Sequence, residues 1–353
     1  MLQLTIKEGS LTVQICGVDH INIIKRTNMK NIYNILVVAF LALITVGCAG
    51  INPQVAEQNN EQSVQVYSAP NTDGAITTKT IDEAFEKSGL TMGGDNNMNS
   101  PFEKRFGKVH YKTYNLAMFS NADLTIKLIK KYPKFGSLTP LTMSIWSNDT
   151  KNTMNISTLT LVGMSKAVGI PVSDPDLIAY ADMVKVALKA ALPNSGFQKT
   201  NFPVVDVNKA SSFKQEFTVD MTATTPDEIQ EIKGNIEAAF EGEMEPLGFL
   251  LPNYMNLQQD VFEGAGFSEY DIYVTYSICK FDVIYPVSKD SPEAGAWAPC
   301  SMYIYHRKGE DKIHIGYLGV DSWISSLGMT DKEGIAKLYE AQGMITKILK
   351  DLN

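Results

Sequence analysis

The stretch GSLTPLTMSIW at residues 136–146 recurs as GAWAPCSMYIY at residues 295–305, a constant 159 positions further along the chain. Both copies follow the pattern G-x-x-x-P-x-x-M-x-I-[W/Y], and the same offset aligns Gly169 with Gly328. Upstream, residues 114–119 resemble residues 276–281 at an offset of 162. A long unit that is present twice predicts a duplicated domain, because a solenoid needs shorter units and at least three copies.

Each copy contains the same predicted order of elements: a helix, several antiparallel strands and a closing helix. In the first copy Thr80 is the predicted helix N-cap, with Glu83 completing a capping box, and residues 91–95, TMGGD, are predicted to form a turn. In the second copy Thr225 and Glu228 have the same spacing. The predicted fold class is α+β, with two tandem domains that each pack helices on one face of an antiparallel sheet.

The N-terminal region is typical of a lipoprotein signal peptide. A polar stretch, KNIYN at residues 30–34, precedes an apolar run at residues 35–46 that ends at Gly47 and Cys48. This run is shorter than the roughly 20 residues that a spanning helix needs. The pattern resembles the lipobox of bacterial lipoproteins, with Thr45 where that motif usually has Leu. Cys48 is therefore the predicted lipidation site; the alternative is an ordinary secretory signal or a short anchor helix.

The signal divides the chain into five predicted segments. Residues 1–28 are interpreted as an upstream extension from a misassigned start codon, in which Leu2, Leu4 and Ile6 resemble a strand without a partner. Residues 29–47 form the signal peptide, and residues 48–62 the lipidated cysteine and a flexible tether. Residues 63–197 and 198–353 are the two α+β domains. Ala49 after Cys48 favours the periplasmic face of the outer membrane.

The charge balance excludes one class of partner. The whole chain carries a formal net charge of −8, and removal of residues 1–47, with four basic and two acidic residues, makes the remainder more acidic. Nucleic-acid binding needs a clustered basic surface, so we expect no nucleic-acid partner. The expected membrane contact is the N-terminal lipid alone.

Residues 297–305, the hairpin containing residues 313–317 and the final amphipathic helix resemble the domain of unknown function 302 family, in which a Pro-Cys pair opens a hydrophobic strand. The resemblance covers nearly the whole mature chain as two copies, the second being the clearer. It implies a TBP-like α+β fold and a tendency to dimerise, so the two domains would pair like a fused homodimer. It implies no reaction. Leu141 stands where the second copy has Cys300, which confines any thiol chemistry to the second domain.

Cys279 and Cys300 are the candidate functional or disulfide residues. They could form a disulfide, or be two buried hydrophobic residues, or include a reactive Cys300 with His306 or His314 as its basic partner. We expect Cys300 to begin a strand whose apolar face meets the helices and to be a buried packing residue. The spacing of Cys300, His306 and His314 fits no zinc pattern, so no metal or other cofactor is predicted.

No known catalytic motif is present, and no catalytic residue is predicted. Many aromatic side chains lie in the second copy, among them Tyr273, Tyr303 and Trp323. An exposed aromatic sheet face could bind a small apolar ligand or a protein partner, whereas a buried face would form the core and the contact between the domains. The sequence favours a non-catalytic binding or accessory module. The alternative is a thiol- or metal-dependent activity centred on Cys300.

Overall fold

The computed structural model describes residues 62–148, 150, 152–198 and 214–352, together with three short strands near the N-terminus. Those strands are β1 (Leu2–Lys7), β2 (Ser10–Ile15) and β3 (Ile21–Lys25). The predicted signal peptide, Cys48 and the tether as far as residue 61 lie outside the described residues. Gln62, the last residue of the predicted tether, is buried.

The three N-terminal strands form an antiparallel sheet in the order β1-β2-β3, within a unit of their own at Met1–Gln58. Leu2 to Lys7 pair with Ile15 to Ser10. The strand indicated by Leu2, Leu4 and Ile6 is therefore present, and the expectation that it lacks a partner is wrong, because β2 follows after a short connection.

The first domain contains a six-stranded antiparallel sheet in the order β5-β6-β7-β8-β4-β9. Its elements are β4 (Val64–Pro70), α1 (Thr78–Lys87), β5 (Thr91–Asn97), α2 (Asn99–Phe106), β6 (Thr113–Ser120), α3 (Ala122–Lys131), a 3-10 helix that we call the first docking turn (Pro133–Leu138), β7 (Leu141–Ser147), β8 (Thr153–Leu159), α4 (Leu161–Val168), α5 (Pro175–Ala191) and β9 (Gly196–Gln198).

The second domain repeats this topology with five strands in the order β10-β14-β13-β12-β11, so that β9 is the addition in the first domain. Its elements are β10 (Lys214–Asp220), α6 (Pro226–Met244), β11 (Leu250–Asn256), a π-helical turn (Gln258–Phe262), β12 (Tyr270–Cys279), α7 (Phe281–Asp290), the second docking turn (Pro292–Ala296), β13 (Cys300–Arg307), β14 (Lys312–Leu318), α8 (Asp321–Ser326) and α9 (Lys332–Lys350). The predicted α+β class with two tandem domains is confirmed.

Helix capping explains where the first long helix of each domain begins. Thr225 caps α6, and its backbone N–H donates to Glu228 Oε2 at 3.0 Å, as the capping-box spacing predicts. In the first domain the cap is Thr77, whose Oγ1 accepts from the backbone N–H of Thr80 at 3.2 Å. The prediction of Thr80 as N-cap is wrong, because Thr77 makes the same interaction one turn earlier and places Thr80 inside the helix.

Residues 91–95 form part of strand β5, so the predicted turn is also wrong. The register with β6 shifts between Met92 and Gly94, which identifies a β-bulge at Gly93. Gly94 has a φ of +154°, a conformation that side-chain-bearing residues rarely adopt. A glycine pair in a strand marks a bulge as readily as a turn, and here pairing with β6 keeps the segment in the sheet.

The two domains dock through reciprocal contacts. The hydroxyl group of Tyr273 on β12 donates a hydrogen bond to the carbonyl oxygen of Pro133 in the first docking turn, at 2.5 Å. Tyr114 on β6 donates in the same way to the carbonyl oxygen of Pro292 in the second docking turn at 3.3 Å. Tyr273 is equivalent to Tyr114, and Pro292 is equivalent to Pro133. The residues of each equivalent pair are 159 positions apart, so the offset of 162 assigned to the upstream segments is wrong. The reciprocity is that of a two-fold interface within one chain.

The sheet face of the second domain that carries Tyr273 and Tyr303 is buried against the first domain. Ser301 Oγ on the same face donates to the carbonyl oxygen of Pro140 at 2.9 Å. These aromatic side chains therefore form the core and the contact between the domains, which is the second of the two alternatives drawn from the sequence. The opposite face carries the helices.

None of the helices in the described part of the chain is long and apolar enough to cross a bilayer.

Candidate functional site

A cavity of about 50 Å³ lies in the second domain between the sheet and the helices α7, α8 and α9. The strands contribute Ile278, Cys300 and Tyr317, and the helices contribute apolar side chains from all three. The residues from the helices are Val283, Ile284, Trp323, Leu338, Ala341 and Ile345. Nearly all the surface that encloses the space is therefore apolar.

The position of Cys300 follows from the local sequence. Pro299 has no N–H to donate to a ladder, and Cys300 is the first residue of β13, as predicted. Side chains alternate from there, and Met302 on the same face is fully buried. This face meets the helices, as expected. Cys300 has a shorter side chain than Leu141 at the same position in the first domain, which leaves part of the cavity open.

Cys279 and Cys300 are both free thiols. The residue directly opposite Cys300 across the β12–β13 ladder is Ile278, so the two cysteines are offset by one position and are not a directly opposed pair. Burial raises the pKa of each thiol to about 12. Cys300 is only partly buried, which differs from the expected buried packing residue, because it borders the cavity instead of filling it. Both side chains are therefore neutral at physiological pH.

The two candidate histidines lie elsewhere. His306 is buried, with Nδ1 at 3.1 Å from Asp271 Oδ2 and Nε2 at 2.9 Å from the carbonyl oxygen of Glu310. His314 Nε2 is 3.0 Å from Glu310 Oε2. Six residues of extended strand, roughly 20 Å, separate His306 from Cys300. The described residues thus give Cys300 no histidine partner, and they contain no group of three or more His, Cys, Asp or Glu side chains arranged to hold a metal.

Trp323, which the sequence marks only as one of several aromatic residues, contributes a buried polar group to the cavity. The residue is 4% exposed, and its Nε1–H is buried without a hydrogen-bond acceptor among the described residues. The indole nitrogen is directed towards Cys300, where it lowers the pKa of the thiol against the larger effect of burial. A neutral thiol is only a weak acceptor and does not satisfy it. Trp297 differs, since its Nε1–H donates to Ser326 Oγ at 2.7 Å.

Lys280 is the one charged residue among the described residues that line the cavity. Its ammonium group donates to the carbonyl oxygen of Leu247 and lies 4.9 Å from the centre of the Phe249 ring. The charge is therefore held at the rim by contacts of its own, and the interior of the cavity is uncharged.

A second cluster of perturbed side chains lies in the first domain, between α1 and β5. Burial, followed by the negative charge of Asp95, raises the pKa of Asp82 to about 7. Asp95 accepts from the Asn115 side-chain amide at 2.8 Å, and burial raises its pKa as well. Asp82 lies on α1 and Asp95 on β5, so we expect the contact between the helix and the sheet to depend on the protonation of this pair.

Comparison with known proteins identifies the repeated unit. The family model described as "Domain of unknown function DUF302" matches residues 66–194 and again residues 221–352, which together are well over half of the chain. The chain belongs to the DUF302 family. The resemblance drawn from residues 297–305 is confirmed, as is the presence of two tandem DUF302 copies.

One solved structure similar to a DUF302 copy of this chain is the "Crystal structure of uncharacterized conserved protein DUF302 from Bacillus stearothermophilus". It is 14% identical, the match covers 39% of this chain and 98% of that chain, and the TM-score is 0.31. None of the curated proteins matches the chain. Membership of DUF302 carries no reaction or ligand, so the function has to be argued from the geometry of the site.

Proposed function

We propose that the protein is a non-catalytic binding module, held at the cell envelope by a lipid on Cys48, whose second domain binds a small apolar ligand. The observation that supports this function is the apolar cavity between the sheet and the helices α7, α8 and α9. Apolar concavities with few polar groups are the usual binding sites for small molecules.

The size of the cavity limits the ligand. Sites for drug-sized ligands measure about 300–1,000 Å³, and an engineered cavity of about 150 Å³ accommodates benzene. A cavity of about 50 Å³ therefore takes a group of only a few non-hydrogen atoms. The best small ligands gain about 1.5 kcal/mol per such atom. Four atoms then correspond to a Kd no tighter than roughly 40 µM.

The state of the thiols supports binding over catalysis. A thiol acts as a nucleophile or metal ligand in its thiolate form. Burial holds the pKa of Cys300 at about 12, and its nearest candidate bases, His306 and His314, are engaged with Glu310 at the far end of β13. Cys300 is therefore part of the wall of the binding site in this proposal.

The envelope location rests on the sequence of residues 30–50. An apolar run that ends at Gly47 and Cys48 is typical of a processed and lipidated leader. Two or more acyl chains anchor a protein stably to a bilayer. The tether after Cys48 would leave the two domains free to rotate near the membrane surface.

A titration with 2-methylpropene, which has four non-hydrogen atoms, followed by NMR of the folded protein, tests the binding function. Two variants of Cys300 separate its possible roles. Cys300→Ala keeps the space and removes the thiol, and we expect binding to be retained. Cys300→Leu adds two non-hydrogen atoms to the wall, and we expect binding at least about 10-fold weaker, because the variant side chain occupies the ligand's space. Leu141 in the first domain shows that this position of the fold accepts leucine.

Two outcomes would contradict the proposal. Absence of binding to the wild type would remove the apolar site. Loss of binding in Cys300→Ala, with Cys300→Leu unaffected, would show that the thiol and not the space determines binding, and would favour the thiol-dependent alternative.

A further inference from the structure

Trp323 gives the cavity a chemical preference beyond size. Its indole N–H is buried without a nitrogen or oxygen acceptor among the described residues, and it faces only the neutral thiol of Cys300, a weak acceptor. Nearly all buried donors in folded proteins have a partner, because an unsatisfied buried donor is destabilising. Trp297, the nearby indole in the same domain, has one in Ser326. The indole N–H of Trp323 has only the weak thiol acceptor of Cys300 beside it, so a stronger acceptor would have to come from a bound molecule.

A water molecule is a poor candidate for that acceptor. A buried water needs two to four polar partners, and the other polar groups in the lining are engaged. The Tyr317 hydroxyl lies 3.1 Å from Thr346 Oγ1, and Gln342 Oε1 accepts from the backbone N–H of Val320 at 2.8 Å. A water beside Trp323 could donate only to oxygen atoms that already take part in other hydrogen bonds, in a lining that is otherwise apolar.

The acceptor must also be uncharged. Burial of an ionised group without a partner is very costly, and the walls around Trp323 consist mainly of apolar side chains and the neutral thiol of Cys300. Lys280 at the rim is already bound to Leu247. The space therefore fits a compact neutral group with one acceptor atom and no donor.

We propose that the ligand is a small neutral carbonyl compound whose oxygen accepts a hydrogen bond from Trp323 Nε1 while its carbon atoms contact Ile278, Cys300 and Ile345. A carbonyl group has an acceptor and no donor, and so completes the one unsatisfied group without creating another. This inference rests on the proposed binding function and adds the class of ligand to it.

The test uses two probes of nearly equal shape with four non-hydrogen atoms each, acetone and 2-methylpropene, in which an oxygen atom replaces a methylene group. We expect the ketone to bind the wild type about 10-fold more tightly, as one net hydrogen bond would give. The Trp323→Phe variant keeps an aromatic wall and removes the donor, and we expect it to lose that preference. The indole N–H resonance of Trp323 should shift with the ketone and shift much less with the alkene, while that of Trp297 serves as the internal control.

The outcomes separate this inference from the function on which it rests. Equal affinities of the wild type for the two probes, or a ketone preference that persists in Trp323→Phe, would overturn the carbonyl assignment and leave the apolar site intact. Failure of both probes to bind would overturn the binding function itself. Should Trp323→Phe not fold, the indole resonance of the wild type decides: an unchanged Trp323 signal in saturating ketone overturns the inference.

Discussion

Gly295 lies so close to Ser144 of the other domain that a Cβ atom added to the glycine would be 2.5 Å from the Cβ of Ser144. The equivalent Gly136 has the same relation to the second domain, with an added Cβ at 2.4 Å from Tyr273 Oη and 2.7 Å from the Cβ of Tyr303. These glycines are the first residues of the repeated pattern. Reciprocal docking of the two turns explains why both copies have glycine there.

Substitution of either docking glycine should destabilise the pair of domains. We expect Gly136→Ala and Gly295→Ala each to lower the free energy of unfolding by about 1–3 kcal/mol, because the methyl group overpacks a filled interface. Urea denaturation measures this. The matched control is Gly234→Ala in the exposed part of α6, where an added Cβ meets nothing within 4 Å; there we expect a stabilisation of about 0.5–1 kcal/mol. Similar effects of all three substitutions would contradict the docking contact.

Asp82 should make stability depend on pH. Its pKa is raised from 3.8 to about 7 in the folded protein, so the folded state holds a proton that the unfolded state loses between these values. The stability from Asp82 is therefore complete below about pH 4 and is lost as the pH rises through about 7. Relative to the wild type, Asp82→Asn should become more stable between pH 4 and pH 8, as measured by urea denaturation. A difference that does not change with pH would contradict the assignment.

The two thiols of the second domain should react slowly. With the pKa of Cys279 and Cys300 raised to about 12 from 9.0, the thiolate fraction at pH 8 falls by roughly 1,000-fold, and the higher nucleophilicity of a basic thiolate offsets part of this loss. We expect alkylation by iodoacetamide, measured by peptide mass spectrometry, to be at least about 100-fold slower than in the urea-unfolded protein. Alkylation of Cys300 at the unfolded rate would instead favour thiol chemistry.

The proposed anchor depends on Cys48. We expect Cys48→Ser to abolish lipidation, leave the leader unprocessed by the lipoprotein peptidase and change the detergent partitioning of the protein. Mass spectrometry of the N-terminal peptide from membrane fractions measures both lipid and processing. Unaltered processing and partitioning of the variant would refute the lipoprotein assignment and leave an ordinary secretory signal or anchor helix.

Local signals allowed much of the fold to be predicted from the sequence. The repeated pattern predicted the duplication, and Thr225 with Glu228 predicted the start of α6, because capping depends on residues within one turn. Thr80 was misassigned for the same local reason: Thr77 and Thr80 both have cap-forming side chains, and the chain before them decides between the two. The bulge at Gly93 depends on pairing with a distant strand, which glycine composition does not reveal.

The candidate site was less accessible to prediction. The Pro-Cys pair correctly predicted that Cys300 begins a strand and lies on the apolar face of that strand, together with Met302. The cavity itself is the space left between side chains that are distant in sequence, such as Ile278 and Ile345. Trp323 is important only because its indole N–H has no acceptor stronger than the Cys300 thiol in the described structure, and no spacing in the sequence encodes that.

Crystals of the protein under xenon pressure provide the most direct measurement of the proposed binding site. Xenon enters dry apolar cavities without needing a polar partner. We predict a xenon atom in the second domain between Cys300, Trp323 and Ile345, and its absence from crystals of Cys300→Leu. A cavity that stays empty under pressure, or that contains ordered water in place of xenon, would contradict the proposal that the second domain binds a small apolar ligand.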